Sequence, residues 1–201
     1  MTESAPTISQ TRLEAPRLDD SVGMPIPGVE VRVVSLDGVD VAPGEPGELW
    51  IRGPNVMAGY YREPAMTAAT MRDGGWLNTG DMARQEADGA LFIVGRTKEL
   101  IIRSGFNVYP LEVETALNAH PSVVQSAVVG RTVADGNEDV IAYVELDPQH
   151  PVTVQALQQY LAHTLSPYKC PSAIIVMEAL PAAATGKILK GQLRQMAQNA
   201  L

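Results

Sequence analysis

Lys187 follows Gly186 in the run Pro181-Ala182-Ala183-Ala184-Thr185-Gly186-Lys187-Ile188-Leu189, where the glycine frees the backbone for a tight turn and the lysine offers a cation beside it. The Gly-Lys pair invites comparison with a Walker-type phosphate loop, but that loop needs Gly where Pro181 stands and Ser or Thr where Ile188 stands, so it fails at two positions. Thr79-Gly80-Asp81 reads locally as a polar turn before a strand. Arg96 reads locally as a surface arginine after a strand, a cation that cannot lose its charge. Ser104-Gly105 reads as a glycine turn leading to a helix started by Pro110. His120, His150 and His163 lack metal-ligand spacing and read as structural. Cys170 has no histidine near it in sequence and reads as a small buried residue; Lys190 and the run Asn137-Glu138-Asp139 read as solvated.

The elements that must position these residues change character along the chain. Val29 to Val34 and Gly47 to Arg52 read as short strands, and Met82 to Arg84 pairs with Ala90 to Val94 as a hairpin across Glu86-Ala87-Asp88-Gly89. Further on, Pro110 opens a helix with Val113, Ala116 and Leu117 on one face and Glu112 and Glu114 near its positive end, closing before His120-Pro121. Val123 to Val129, Asp139 to Leu146 and Ala173 to Met177 read as strands. Thr153 caps a helix with Val154, Leu157, Leu161 and Leu165 on one face, stopped by Pro167, and a last amphipathic helix carries Leu189, Leu193 and Met196. The expected fold is α+β: a β-rich part at 1–96, a small distorted barrel or β layer, then a compact α+β domain at 97–201 with a small sheet flanked by helices.

Composition agrees with a globular protein of this size. Hydrophobic residues make up 45% and charged residues 19%, and no apolar run approaches the length needed to span a bilayer. The net charge of −8 argues against nucleic-acid binding, which draws its affinity from neutralised phosphates. All four lysines, Lys98, Lys169, Lys187 and Lys190, fall in the second part. The absence of a secretory pattern at Met1-Thr2-Glu3-Ser4 and the single cysteine give a cytoplasmic expectation.

Taken in order, Met1-Thr2-Glu3-Ser4, Gly75-Trp76-Leu77-Asn78-Thr79-Gly80-Asp81, Gly95-Arg96-Thr97-Lys98-Glu99-Leu100-Ile101, Ser104 to Glu114 and Pro181 to Leu189 resemble the later core motifs of the adenylate-forming (AMP-binding) superfamily. The resemblance runs from residue 1 to about 195 and is to the C-terminal portion of acyl-CoA synthetases and coumarate-CoA ligases.

It implies that Asp81 accepts hydrogen bonds from the ribose hydroxyls of the nucleotide and that Arg96 contacts the ribose or phosphate region. It makes Lys98 a hinge between half-reactions, where backbone rotation matters more than the side chain. Ser104, Gly105 and Phe106 belong to the loop that serves thioester formation, with Gly105 allowing close approach of the thiol. Phe106 is then expected against the adenylate or the tunnel wall. Lys187 is the catalytic residue, neutralising the pentavalent transition state as acyl-AMP forms. In the family signature Tyr-Gly-x-Thr-Glu, Met1 holds the x position, which places Thr2 at the phosphate and Glu3 at Mg2+. The implied ligands are ATP/AMP, Mg2+, CoA and a carboxylic acid of open identity.

No segment resembles the family's Ser/Thr/Gly/Lys-rich phosphate loop. The resulting expectation is a piece of a ligase, inactive alone, with a missing N-terminal polypeptide as a candidate partner. Two alternatives stand beside it: a non-catalytic interaction module or half of a split enzyme, and a peptide-synthetase-like adenylation domain. The Phe106-Asn107-Val108-Tyr109-Pro110 pattern and the lack of a Gly-x-Asp-Ser carrier site favour CoA as acceptor over the last of these.

Overall fold

The computed structural model describes residues 1–199. The chain divides into two units, Met1–Lys98 and Glu99–Leu201. The first runs β1 (Ser9–Gln10), β2 (Met24–Pro25), β3 (Glu30–Val34), β4 (Pro46–Arg52), α1 (Pro64–Thr70), β5 (Met71–Arg72), β6 (Trp76–Gln85) and β7 (Leu91–Arg96). In β4, Gly47, Leu49 and Ile51 are buried while their neighbours are not. Leu49 and Ile51 meet Val33, Leu77, Ala83 and Leu91 in one core.

The expected hairpin is present but longer on both sides, with Gln85 opposite Leu91 and Asp81 opposite Arg96. The barrel is not. The pairings run β3-β4-β6-β5, with β7 also on β6, and this five-stranded sheet stays open. The helix α1, started by Pro64, and the short β5 were not anticipated.

The second unit contains β8 (Ile101–Arg103), β9 (Phe106–Val108), α2 (Pro110–Asn118), β10 (Val123–Thr132), β11 (Glu138–Leu146), α3 (Val154–Thr164), β12 (Ala173–Met177) and α4 (Lys190–Asn199). β10 and β11 are antiparallel, and β11 and β12 parallel, with α3 as the crossover. Val123 to Val129 and Val140 to Val144 carry apolar residues on both faces because both faces are covered. Val128, Val140, Ala142 and Val144 meet Val113 and Leu117 of α2 and Leu157 and Leu161 of α3. Ala127, Val129, Ile141 and Tyr143 meet Leu193 and Ala197 of α4.

The helix signals fall where the sequence placed them. Pro110 occupies the first turn of α2, and Thr153 Oγ1 accepts the Ala156 N–H at 3.2 Å. α4 differs from expectation. It begins at Lys190, so Leu189 lies before it, and Met196 is exposed; Ala197 joins Leu193 on the inner face. The run at 137–139 is no solvated loop: Glu138 and Asp139 start β11, and the three side chains hold backbone and Arg131 as described below. Among the described residues, no helix is long and apolar enough to cross a membrane.

Candidate functional site

Thr79-Gly80-Asp81 is not a turn before a strand but an irregularity inside β6. Glu48 pairs with Met82 and Trp50 with Asn78, so the single residue Leu49 faces all three motif residues. A bulge of this kind bends a strand and re-aims a side chain. Its shape is fixed from within. The buried Thr79 donates its hydroxyl to the Leu49 carbonyl at 2.9 Å and accepts the Asp81 N–H at 3.1 Å. Asn78 Oδ1 accepts the Gly80 N–H at 2.9 Å, while its amide nitrogen donates to Glu48 Oε2 at 3.0 Å.

Past the bulge, Asp81 and Arg96 are direct cross-strand partners, with Arg96 Nε 3.0 Å from Asp81 Oδ1. The carboxylate is mostly buried, at 19% exposure, whereas half of the arginine side chain faces water. Two motifs fifteen residues apart are thus brought together by hairpin register.

Glu3, Thr79, Gly80, Arg96 and Lys98 line one concavity of about 430 Å3 in the first unit, with Tyr60 on its wall. Glu3 sits in a short turn, Thr2–Ser4, that is tied down rather than frayed. The Met57 N–H donates to the Glu3 carbonyl at 2.9 Å, and Asn55 Nδ2 donates to the Ser4 carbonyl at 2.8 Å. The Tyr60 hydroxyl donates to Glu3 Oε1 at 3.0 Å and is raised above the ordinary tyrosine value, first by burial and then by that carboxylate. Thr2 is exposed in the same turn and does not line the concavity. Tyr60, Asn55 and Glu48 carried no motif in sequence, and Asn78 stood inside one with no role of its own; only the fold reveals what these four hold.

Among the described residues there is no cluster of three or more His, Cys, Asp or Glu fit for a metal. Glu3 alone still suits Mg2+, a hard cation that keeps several waters and needs only one or two protein carboxylates beside phosphate oxygens.

The second unit holds the remaining predicted residues in two hairpins. Ser104 and Gly105 join β8 to β9 as a two-residue turn with φ of 52° and 79°, the positive pair a type I′ connection requires. The Ser104 N–H donates to Asn137 Oδ1 at 2.6 Å and the Ile102 N–H to Glu138 Oε2 at 2.8 Å, so the supposedly solvated run clasps the hairpin edge. Asp139 pairs with Arg131 at 2.5 Å and accepts the Ser172 hydroxyl at 3.0 Å. Phe106 is 55% exposed and stacks on Tyr168, ring centroids 4.7 Å apart. Cys170 is half-buried against the core, and burial pushes its thiol up despite Arg103 nearby.

Lys187 is exposed beside the turn of the other hairpin. The Gly186 N–H closes a turn onto the Ala183 carbonyl at 2.8 Å, the Ala183 N–H donates to the Lys187 carbonyl at 2.8 Å, and Ala182 bridges Ile188. Lys190 is the opposite of what was expected. Its ammonium lies 2.8 Å from both Glu99 and Glu114 and is three-quarters shielded from water.

An open β unit with a bulged Thr-Gly-Asp facing an arginine, followed by a small three-layer α+β unit with an exposed Gly-Lys hairpin, matches known proteins throughout. The AMP-binding enzyme family matches residues 1–61 and the AMP-binding enzyme C-terminal domain matches residues 112–187. The chain belongs to the adenylate-forming, AMP-binding superfamily. It is 39% identical to a long-chain-fatty-acid–CoA ligase of Yersinia pestis over 194 residues, 96% of this chain and 34% of that protein. It is 37% identical to an indoleacetate–CoA ligase of Aromatoleum aromaticum over 97% of this chain and 38% of that one. Among solved structures, ATP-bound MatB from Rhodopseudomonas palustris superposes with a TM-score of 0.92 at 35% identity, covering all of this chain and 40% of that one. The o-succinylbenzoate CoA synthetase of Bacillus subtilis with its acyl-adenylate intermediate gives a TM-score of 0.86 at 34% identity over 96% of this chain and 40% of that one. The chain therefore spans somewhat more than a third of the length of these relatives.

Proposed function

We propose that this chain supplies the C-terminal part of an ATP-dependent, AMP-forming ligase that joins a carboxylic acid to CoA. The observation that carries the reading is the Asp81–Arg96 pair, aimed by the Thr79-Gly80-Asp81 bulge beside the concavity that Arg96, Lys98 and Glu3 line. A mostly buried carboxylate held by an arginine is oriented, ready to accept hydrogen bonds from two ribose hydroxyls. Glu3 would hold Mg2+, which neutralises phosphate charge when bound.

In the first half-reaction a carboxylate oxygen attacks the α-phosphorus of ATP and pyrophosphate leaves. Lys187, exposed and projecting from a hairpin that needs no repacking, neutralises the charge that builds on those oxygens. In the second, the CoA thiol attacks the acyl carbon and AMP leaves, with the Ser104-Gly105-Phe106 tip lining the thiol's approach. The change between them is a backbone rotation at Lys98, next to the boundary between units. The part at 1–96 belongs to the large nucleotide-binding domain, the part at 97–201 to the mobile one, and the site of action is the cytoplasm.

The stretch covered by this chain does not select the acid. Relatives named for long-chain fatty acids and for indoleacetate match it at 39% and 37% identity. What it offers is nucleotide handling, and that is what the test addresses. Titration of the 201-residue chain with AMP, followed by amide NMR, is expected to move Gly80, Asp81 and Arg96. Asp81→Asn should weaken binding about tenfold or more, the loss of a charged hydrogen-bond acceptor. Shifts confined to other residues, or an Asp81→Asn chain that binds AMP as well as the parent, would overturn the assignment.

A further inference from the structure

The Lys190 ammonium is the meeting point of three parts of the second unit. Its Nζ lies 2.8 Å from Glu99 Oε2 and 2.8 Å from Glu114 Oε1, and the three side chains are only 24%, 24% and 11% exposed. Glu114 Oε1 also accepts the Val128 N–H at 2.7 Å, so the α2 side of the cluster is fixed to the middle of β10. Burial by itself would push the ammonium down, but the Glu114 and Glu99 carboxylates outweigh it and hold lysine above its ordinary value. Lys190 therefore keeps its charge at neutral pH.

Its position along the chain gives it meaning. Glu99 is the first residue of the second unit, immediately after Lys98. Lys190 is the first residue of α4, and the Leu189 N–H just before it donates to the Pro181 carbonyl at 2.7 Å, closing the base of the Lys187 hairpin. One ammonium thus ties the residue after the hinge, the α2–β10 layer and the foot of the hairpin.

We propose that Lys190 is a positioning residue that makes the Lys187 hairpin rigid with the start of the second unit, so that rotation at Lys98 reaches Lys187 without loss. This rests on the reading of Lys98 and Lys187 given above. An ion pair that merely stabilised the fold would act on the whole unit, whereas a positioning tie acts on the hairpin first.

Amide hydrogen exchange on the 201-residue chain separates the two. In Lys190→Met the Ala183, Gly186 and Leu189 amides should exchange about tenfold faster or more, while amides shared between β10 and β11 keep their protection. Lys190→Arg, which can still pair with both carboxylates, should restore the hairpin to within about threefold of the parent. Unchanged hairpin protection, or equal acceleration across the unit, would overturn the proposal. Should Lys190→Met fail to fold, Glu99→Gln removes one contact: acceleration confined to the hairpin supports the tie, and none or a uniform one refutes it. No step of this test reads nucleotide or acyl chemistry, so failure of the chain to bind AMP would strike the ligase reading and leave this result standing.

Discussion

At position 186 glycine is demanded by the sign of a dihedral and by nothing else. Its φ is 82°, and a Cβ placed there would meet no atom within 4 Å. Gly186→Ala should therefore cost about 1–2 kcal/mol of backbone strain without any clash, read as a lowered urea midpoint with an unchanged slope. Asp139 makes the case for charge. Its hydrogen bond with Arg131 outweighs burial and holds its carboxyl below the ordinary value of 3.8. A carboxyl lowered on folding adds stability that is present above its unfolded value and lost as pH falls through the folded one. Urea midpoints taken below about pH 4 should fall less steeply for Asp139→Asn than for the parent, because the substituted residue has no proton to gain.

Residues that belong to a linear motif could be singled out in advance, and contacts created by folding could not. Lys187, Asp81 and Arg96 announced themselves by neighbours in sequence. Lys190, Asn137 and Glu138 looked solvated because their partners lie far along the chain: Glu99 for the first, Ser104 and Ile102 for the others.

Among the elements, α4 shows most clearly how burial sorts its residues. Leu193 is fully buried against the sheet, whereas Met196 is 43% exposed. Leu193→Ala should cost about 2–5 kcal/mol by chemical denaturation, and Met196→Ala no more than about 0.5 kcal/mol. The periodicity that predicted α4 was sound, but a short helix whose start is uncertain by one residue leaves its inner face uncertain too, which is why Met196 stood in for Ala197. Strands were legible where apolar residues run or alternate. The motif at 79–81 hid inside one because a bulge interrupts the period of two on which such a reading depends.

For the molecule as a whole, the hinge assignment makes a sharp statement. In a full-length ligase carrying this sequence, Lys98→Pro should spare one half-reaction and suppress the other at least tenfold, since proline fixes φ and locks a single arrangement. Pyrophosphate exchange and thioester formation from supplied acyl-AMP measure the two separately, and equal loss of both would count against a hinge. The general α+β architecture was legible from the change in element types along the chain. Failure of the first sheet to close was not, because closure depends on strand tilt and stagger that no local pattern encodes.

That open sheet has a consequence for solubility. A barrel has no rim, but here β3 is a terminal strand, and an uncovered rim invites a second chain to add its own strand. The stretch at 39–41 folds back over one end of β3, with the Val41 N–H donating to the Val33 carbonyl at 3.0 Å. The other end carries Glu30 and Arg32, each in an exposed ion pair, with Arg52 and Asp40 respectively. These pairs add little to the fold's stability. Their value is defensive: charges along a strand rim deter fibrous stacking, and β3 would be the place where this protein starts to aggregate if they were lost.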